Sequence, residues 1–410
     1  MNFFRWPISL QTIIAMILGV IGGWVLGPKG AEFGWVAKYI IEVIKAVATP
    51  LLFFAIFDAF VSIDLRGKGF LWLVFVCAIN ACCAITIALT ISHVFKPGLY
   101  LPVEGHLKTD TFFINTLGLN FHWTNIFKQP QAIKFFSGTT AAIILSILSG
   151  LIFLTLKSIL GLKFQPSHDF LKIFNQKVLQ FLFKAIGYLV HLTPLAVFTA
   201  MVKVVGTQGF SAMKGLGAYL LACSGGMFLQ VILVYQTWIR GVAKKSLTVF
   251  WKECREPMIY SFGVNSSLAT LPITLNAMKR LKVSDGSARL SACIGTNFNN
   301  DGILLYEVVA VLFVSQAFGL HLGLAQQLLL TLICVVATIG VAGVPEAGMI
   351  SLTLVLSSVG LPIEILPVLM TVDWILARLR SVNNVIGDIT GGIAIDACLE
   401  RSEPRQSLNS

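Results

Sequence analysis

The chain has 410 residues, of which 56% are hydrophobic and 12% charged, with a mean hydropathy of +0.83. That much apolar surface cannot be hidden inside a water-soluble domain, so the composition excludes an ordinary soluble protein and points to membrane-spanning helices. The formal net charge of +11 is spread over loops that flank apolar runs and is not gathered in one domain. That pattern reads as a topology signal and argues against nucleic-acid binding.

Hydropathy predicts spans over Ile8–Leu26, Ile40–Phe60, Phe70–Phe95, Thr139–Leu160, Val178–Val204 and Leu216–Trp238. The first follows Arg5 but is long for a signal peptide and has no convincing small-residue cleavage site, so it reads as a retained span. Basic residues fall in alternate connections. They occur at Arg66 and Lys68, from Lys157 to Lys177, from Arg240 to Arg255, and from Lys279 to Arg289. The positive-inside rule puts these connections, and both termini, in the cytoplasm. The polar, aromatic stretch 96–134 falls outside, with no period that assigns its structure. Thr248–Arg255 reads as an amphipathic linker, and the tail beyond residue 400 as disordered. The eight cysteines form no C-x-x-C pair and lie mostly in apolar runs, as small buried hydrophobes do.

After residue 256 the apolar stretches shorten and are broken by Ser, Asn, Gly and Pro. Ser261–Pro272 and Ala337–Gly348 each lie between apolar arms too short to cross a bilayer. They read as two re-entrant hairpins, because irregular backbone at membrane depth is tolerated only against protein or a watery cavity. Two kinked spans are the alternative. Each hairpin precedes a polar-interrupted span, Leu290–Phe313 and Ile363–Ile386. The loop charges place the first hairpin on the cytoplasmic side and the second outside, an inverted repeat of the kind found in secondary transporters. The predicted fold is therefore an all-α membrane protein of eight transmembrane helices plus two re-entrant helical hairpins. Residues 1–255 form an N-terminal six-helix region, 256–400 a hairpin–helix–hairpin–helix core, and 401–410 a tail.

Two polar clusters carry chemistry. In Gly295–Thr296–Asn297–Phe298–Asn299–Asn300–Asp301–Gly302, one helical face cannot hold all the polar groups, whereas an unwound turn can aim carbonyls, Asn299 and Asp301 inward together. Hard oxygens of this kind suit Na⁺. In the second cluster, helical spacing puts Asp373, Ala377, Arg380/Ser381, Asn384 and Asp388 on one stripe. Ionisable groups inside a span are functional by default. Arg380 can hold a carboxylate with two parallel hydrogen bonds, Asp388 is a candidate cation ligand, and Asn384 can bridge them. The alternative for Arg380 is a packing pair with Asp373 or Asp388.

These motifs resemble the dicarboxylate/amino acid:cation symporters, which include the glutamate and aspartate transporters. The resemblance runs from about residue 8 to 398. It rests on Ser266–Ser267 with Thr270–Leu271–Pro272, Asn299–Asn300–Asp301–Gly302, Gly340–Val341–Ala342–Gly343–Val344–Pro345, and Arg380 through Asn384 to Gly387–Asp388. It implies a homotrimer in the plasma membrane, an elevator movement, and Na⁺ as the coupled ion, with H⁺ as a further candidate; the lack of a long eukaryotic-style tail favours a bacterial inner membrane. It implies that Gly295, Asn299, Asn384 and Asp388 form one Na⁺ site. Asn80, Asn299 and Asp301 would form a second, and Thr338, Ile339 and Val341 would help a third. Substrate contacts would come from Ser266, Ser267, Val344, Pro345, Glu346, Ala347, Gly348, Ser381 and Asn384, with Arg380 on the distal carboxylate.

The departures bear on the substrate. Ala377 stands where amino-acid carriers have the Asp that receives the substrate's ammonium, so a small anionic solute without an amino group, a C4-dicarboxylate, is favoured over glutamate or aspartate. Ile303 replaces a usual Thr, Glu346 replaces a small or neutral residue, and Asn80 and Cys77 replace the usual third-span ligands. Glu307 matches a residue linked to proton coupling, and a buried neutral acid is its alternative. A passive anion channel is the rival from another class. A membrane enzyme lacks a convincing nucleophile–base pair.

Overall fold

The computed structural model describes residues 8–62, 68–101, 145–146, 148–150, 152–153, 155, 165–209, 211–340 and 347–402. Among them the regular structure is helical throughout. Helix α1 (Ile8–Leu26) passes through a 3-10 turn (Gly27–Phe33) into α2 (Gly34–Ser62), and α3 spans Lys68–Phe95. The expected span Val178–Val204 is instead a bent pair, α4 (Gln165–Val190) and α5 (Thr193–Gln208), kinked by 45°. Pro194 opens α5, and its ring and missing N–H break the ladder there. Helix α6 (Ser211–Leu229) runs on as two π-helical turns, Gln230–Tyr235 and Thr237–Val242. The expected span Thr139–Leu160 and the stretch 96–134 lie largely outside the described residues.

By length and hydropathy, four described helical runs can each cross a membrane: Leu10–Leu51, Gly69–Phe95, Met213–Val242 and Asp285–Ala317. The α4–α5 pair makes a fifth if counted as one span. The chain is thus an all-α protein with several membrane-length apolar helices.

Thr248–Arg255 is no separate linker, because it is the first half of α7 (Leu247–Val264). The chain then turns at Asn265, in the left-handed region (φ 53°), into α8 (Ser267–Arg280). Arg280, at the end of α8, lies 2.5 Å from Glu253 and 3.1 Å from Glu256 in the middle of the longer α7, so the two helices form an antiparallel hairpin. A second pair in contact is α11 (Leu324–Gly340) and α12 (Ala347–Ser358), whose connecting residues 341–346 lie outside the described set.

Between the pairs come the short α9 (Asp285–Arg289), a π turn (Leu290–Ile294), a 3-10 turn (Gly295–Asn297) and α10 (Asp301–Ala317). The expected unwinding is present, with Phe298–Asn300 belonging to no helix. The last span is helical, as its polar stripe requires: α13 is continuous from Leu366 to Ser402, and it includes the first residues assigned to the tail.

Two apolar clusters form the core. One is built on α10 with α3, α6, α12 and α13 as far as Leu376. The other gathers the π turns of α6, α7, α9 and α13 from Val385 onward. Helix α13 crosses from one cluster to the other between those residues, where its polar stripe lies. The break at 295–300 falls at the same seam.

Candidate functional site

The site grows from the break before α10. Unwinding at Phe298–Asn300 frees side chains that a helix would fan around its axis. Asn80 on α3 donates its Nδ2 to Asn299 Oδ1 (3.1 Å). Its own Oδ1 accepts from Trp238 Nε1 (2.8 Å), and its carbonyl accepts from Gln230 Nε2 (3.2 Å). Asp301 Oδ2 accepts from the Tyr235 hydroxyl (2.9 Å) and from Gln230 Nε2 (3.3 Å). Asn384 on α13 closes the other side. Its Oδ1 accepts from the Gly302 N–H (2.9 Å) and its Nδ2 donates to Asn300 Oδ1 (3.2 Å). Asn300 Nδ2 reaches the carbonyls of Asn297 and Thr338, both at 3.3 Å, which joins α11 to the cluster.

Asp388 lies one turn beyond Asn384, beside Thr296 and Asn299, and its backbone carbonyl accepts from Ser291 Oγ (2.7 Å). The helices approach so closely here that a Cβ on Gly387 would sit 2.6 Å from Asn299 Nδ2 and 2.8 Å from the Tyr235 hydroxyl. Only glycine permits that approach. Asp301 Oδ1, Asp388 Oδ1 and Gln230 Oε1 are buried without a hydrogen-bond partner. Buried acceptors are normally paired, and unpaired carboxylate oxygens among amides and carbonyls form a donor set suited to a hard monovalent cation.

About two turns before Asp388 on the same helix, Arg380 is buried. Its Nη1 donates to Asp373 Oδ1 (2.6 Å) and its Nη2 to Asp373 Oδ2 (3.1 Å), a two-pronged pair along α13. The guanidinium carbon stands 4.0 Å from the Tyr306 ring centroid. On another side the fork meets Gly348, where a Cβ would be 2.5 Å from Cζ. The packing pair with Asp373 considered as an alternative is thus present.

Ser381, next in the chain, donates its hydroxyl to Asn265 Oδ1 (3.1 Å) at the turn of the first hairpin. The starts of α8 and α12 therefore both abut the Arg380–Ser381 turn. Ser266 caps α8, its hydroxyl accepting from the Ala269 N–H (3.2 Å), and Ser267 opens the helix. Helix N-termini present free N–H groups and positive dipole ends, the usual apparatus for an anion.

The structure thus brings together Asn80, Gly295, Asn299, Asp301, Thr338, Asn384 and Asp388 around the break. Around the arginine it sets Ala377 and Ser381 on the same helix and Gly348 against the fork, and Ser266 and Ser267 follow Asn265, whose side chain meets Ser381. Ile303 is buried on α10, one turn before Glu307, and Ile339 is half-buried at the end of α11. Ala347 opens α12. Val341, Val344, Pro345 and Glu346 lie outside the described residues. Glu307 is fully buried beside Ser351, and neither of its oxygens has a hydrogen-bond partner.

Sequence reasoning missed Gln230, Tyr235 and Trp238. A glutamine inside an apolar span was their one signal, and α-helical spacing does not put Gln230 and Tyr235 on a common face. The π turn does, because its hydrogen bonds join residues five apart.

Buried carboxylates, amides and an arginine gathered at a helix break inside a set of membrane-length helices define a multi-pass membrane protein of the transporter kind. The model of the sodium:dicarboxylate symporter family matches residues 8–398. The chain belongs to that family. It is 27% identical over 401 residues to a C4-dicarboxylate transport protein of Anaeromyxobacter sp. (strain K), covering 94% of this chain and 88% of that one. To a C4-dicarboxylate transport protein of Bacillus subtilis (strain 168) it is 28% identical over 402 residues, covering 95% and 92%. It is also 31% identical over 236 residues to excitatory amino acid transporter 4 of Mus musculus, covering 57% of this chain and 41% of that one.

Proposed function

We propose that the chain is a Na⁺-coupled symporter that takes up a C4-dicarboxylate across the plasma membrane. One observation carries this reading: Asp301 and Asp388 keep buried, unpartnered oxygens around an unwound segment, next to a buried arginine fork. Unpaired carboxylates at membrane depth are strongly disfavoured until cations join them. In this reading Na⁺ is cargo. One ion lies among Asn299, Asn384, Asp388 and the Gly295 carbonyl, and another among Asn80, Asn299 and Asp301. The carbonyls of Thr338, Ile339 and Val341 serve a third. Cations reduce the local negative charge and admit the dianion. One carboxylate meets Arg380, and the other meets the starts of α8 and α12 with Ser266, Ser267, Ala347, Gly348 and Asn384, together with residues 344–346.

The same reading holds eight spans, two re-entrant hairpins of inverted orientation, cytoplasmic termini and a trimer whose residues 256–400 move as the substrate-bearing core. Each cation driven inward gains about 2.3 kcal/mol per 100 mV. The likeness to amino acid transporters favours a second reading, uptake of glutamate or aspartate. Ala377 and the commitment of Asp373 to Arg380 disfavour it, since a substrate ammonium would then have no counter-charge. The test is uptake into liposomes holding the purified chain, with succinate and aspartate as competing probes, with and without a Na⁺ gradient. Accumulation of succinate only with the gradient is expected. Equal uptake without it would indicate a passive channel and overturn the proposal.

A further inference from the structure

The turn of the first hairpin carries a residue whose two halves do different things. Asn265 takes the left-handed conformation, and its N–H closes α7 on the Ser261 carbonyl (2.9 Å). Asparagine and glycine tolerate that conformation better than other residues. Its side chain reaches across to α13, where Oδ1 accepts the Ser381 hydroxyl hydrogen at 3.1 Å. A serine hydroxyl has one hydrogen and two lone pairs. With the hydrogen directed at Asn265, Ser381 Oγ offers only lone pairs to whatever lies beside Arg380.

The neighbouring groups narrow what that can be. Ala377, one turn back on the same face, ends at its Cβ and offers no polar group. Asp373, the nearest acid on the stripe, holds both of its oxygens against Arg380. A carboxylate oxygen placed at Ser381 would face lone pair to lone pair. An ammonium there would find an acceptor but no uncommitted anion. A neutral hydroxyl satisfies both conditions.

We propose that Asn265 is a positioning residue that fixes Ser381 as a hydrogen-bond acceptor, so that the site prefers a C4-diacid bearing a hydroxyl at C2 over the unsubstituted diacid. The inference rests on the dicarboxylate reading above and adds the chemistry at the substrate's second carbon. It predicts that L-malate binds about three- to tenfold more tightly than succinate, the value of one neutral hydrogen bond.

The experiment measures the two diacids as competitors of Na⁺-driven uptake in liposomes holding the full chain. Asn265→Gly keeps the left-handed turn and removes the amide, which frees the Ser381 hydrogen. Ser381→Ala removes the acceptor. Ser381→Ala is expected to bring the malate-to-succinate affinity ratio to about one, and Asn265→Gly to lower it because the freed hydrogen can also serve a carboxylate, whereas Asn265→Asp, which retains an acceptor oxygen, keeps it at the wild-type value. A purely structural role for Asn265 would lower both affinities and leave their ratio unchanged. A wild-type ratio of one or less, or a ratio unmoved by Asn265→Gly, overturns the proposal while leaving the dicarboxylate reading intact. A wild-type chain that takes up neither diacid overturns both.

Discussion

Substituting Gly348→Ala tests how tightly the arginine fork is held. The new Cβ would lie 2.5 Å from Arg380 Cζ and 2.7 Å from both Nε and Nη2, and real Cβ contacts essentially never fall below 3.0 Å. Restoring an ordinary contact requires a shift of about 1 Å. On a protein surface a guanidinium would swing aside at little expense. Here it is buried, gripped by Asp373 at 2.6 and 3.1 Å and stacked 4.0 Å from the Tyr306 centroid. A shift of that size breaks at least one prong of the pair and spoils the aim of the remaining N–H groups toward a ligand. Losing one charge-assisted hydrogen bond amounts to about 1.5–3 kcal/mol, or roughly 10- to 150-fold in affinity. Alanine favours a helix more than glycine does, so α12 itself is not weakened by the change. The expected result is a Kd for succinate raised by about that factor, measured by calorimetry at saturating Na⁺, with a folded protein by thermal melting. Unchanged affinity would refute the idea that Gly348 keeps Arg380 in register.

Arg380→Ala should abolish dicarboxylate uptake, and retained affinity would remove this residue from the site. Tyr235→Phe removes a donor to Asp301 and should raise the Na⁺ concentration for half-maximal uptake by about three- to tenfold, one hydrogen bond's worth, with maximal uptake preserved. An unshifted Na⁺ dependence would show that this contact is idle. Asp388→Asn keeps size but removes a cation's counter-charge, so the steepness of the Na⁺ dependence should fall, and a Hill slope equal to wild type would count against Asp388 as a ligand. Arg280→Ala breaks two exposed pairs with Glu253 and Glu256 and should lower stability by less than about 1 kcal/mol, less still in high salt. A larger loss in a melting experiment would mean that the hairpin depends on them.

Much of the site could be read from residue types. Asp301, Asn384 and Asp388 stand out because charge and amide groups inside apolar runs demand a reason, and the α13 stripe follows from helical period alone. The unwinding at Phe298–Asn300 is equally legible, since no regular helix can direct Asn299 and Asp301 inward together. What the sequence hid depends on irregular backbone or on commitments between side chains. The kink before α5 hinges on Pro194, inside a run that overall hydropathy reads as one span. Whether Arg380 is free or held by Asp373 depends on a rotamer, not on spacing. Trp238 is only the last residue of a predicted span until the fold turns its indole N–H onto Asn80.

The two π turns of α6 carry a further consequence. Each is an α turn with one surplus residue wound in. Were either to rewind to 3.6 residues per turn with every residue kept, everything downstream would swing by about 100° around the axis. Rewinding Gln230–Tyr235 in this way would pull the Tyr235 hydroxyl off Asp301 and carry the Trp238 indole off Asn80. In this stretch, winding matters as much as residue identity. A change that rewinds this turn should therefore weaken cation binding, although it leaves the hydropathy of the segment nearly untouched.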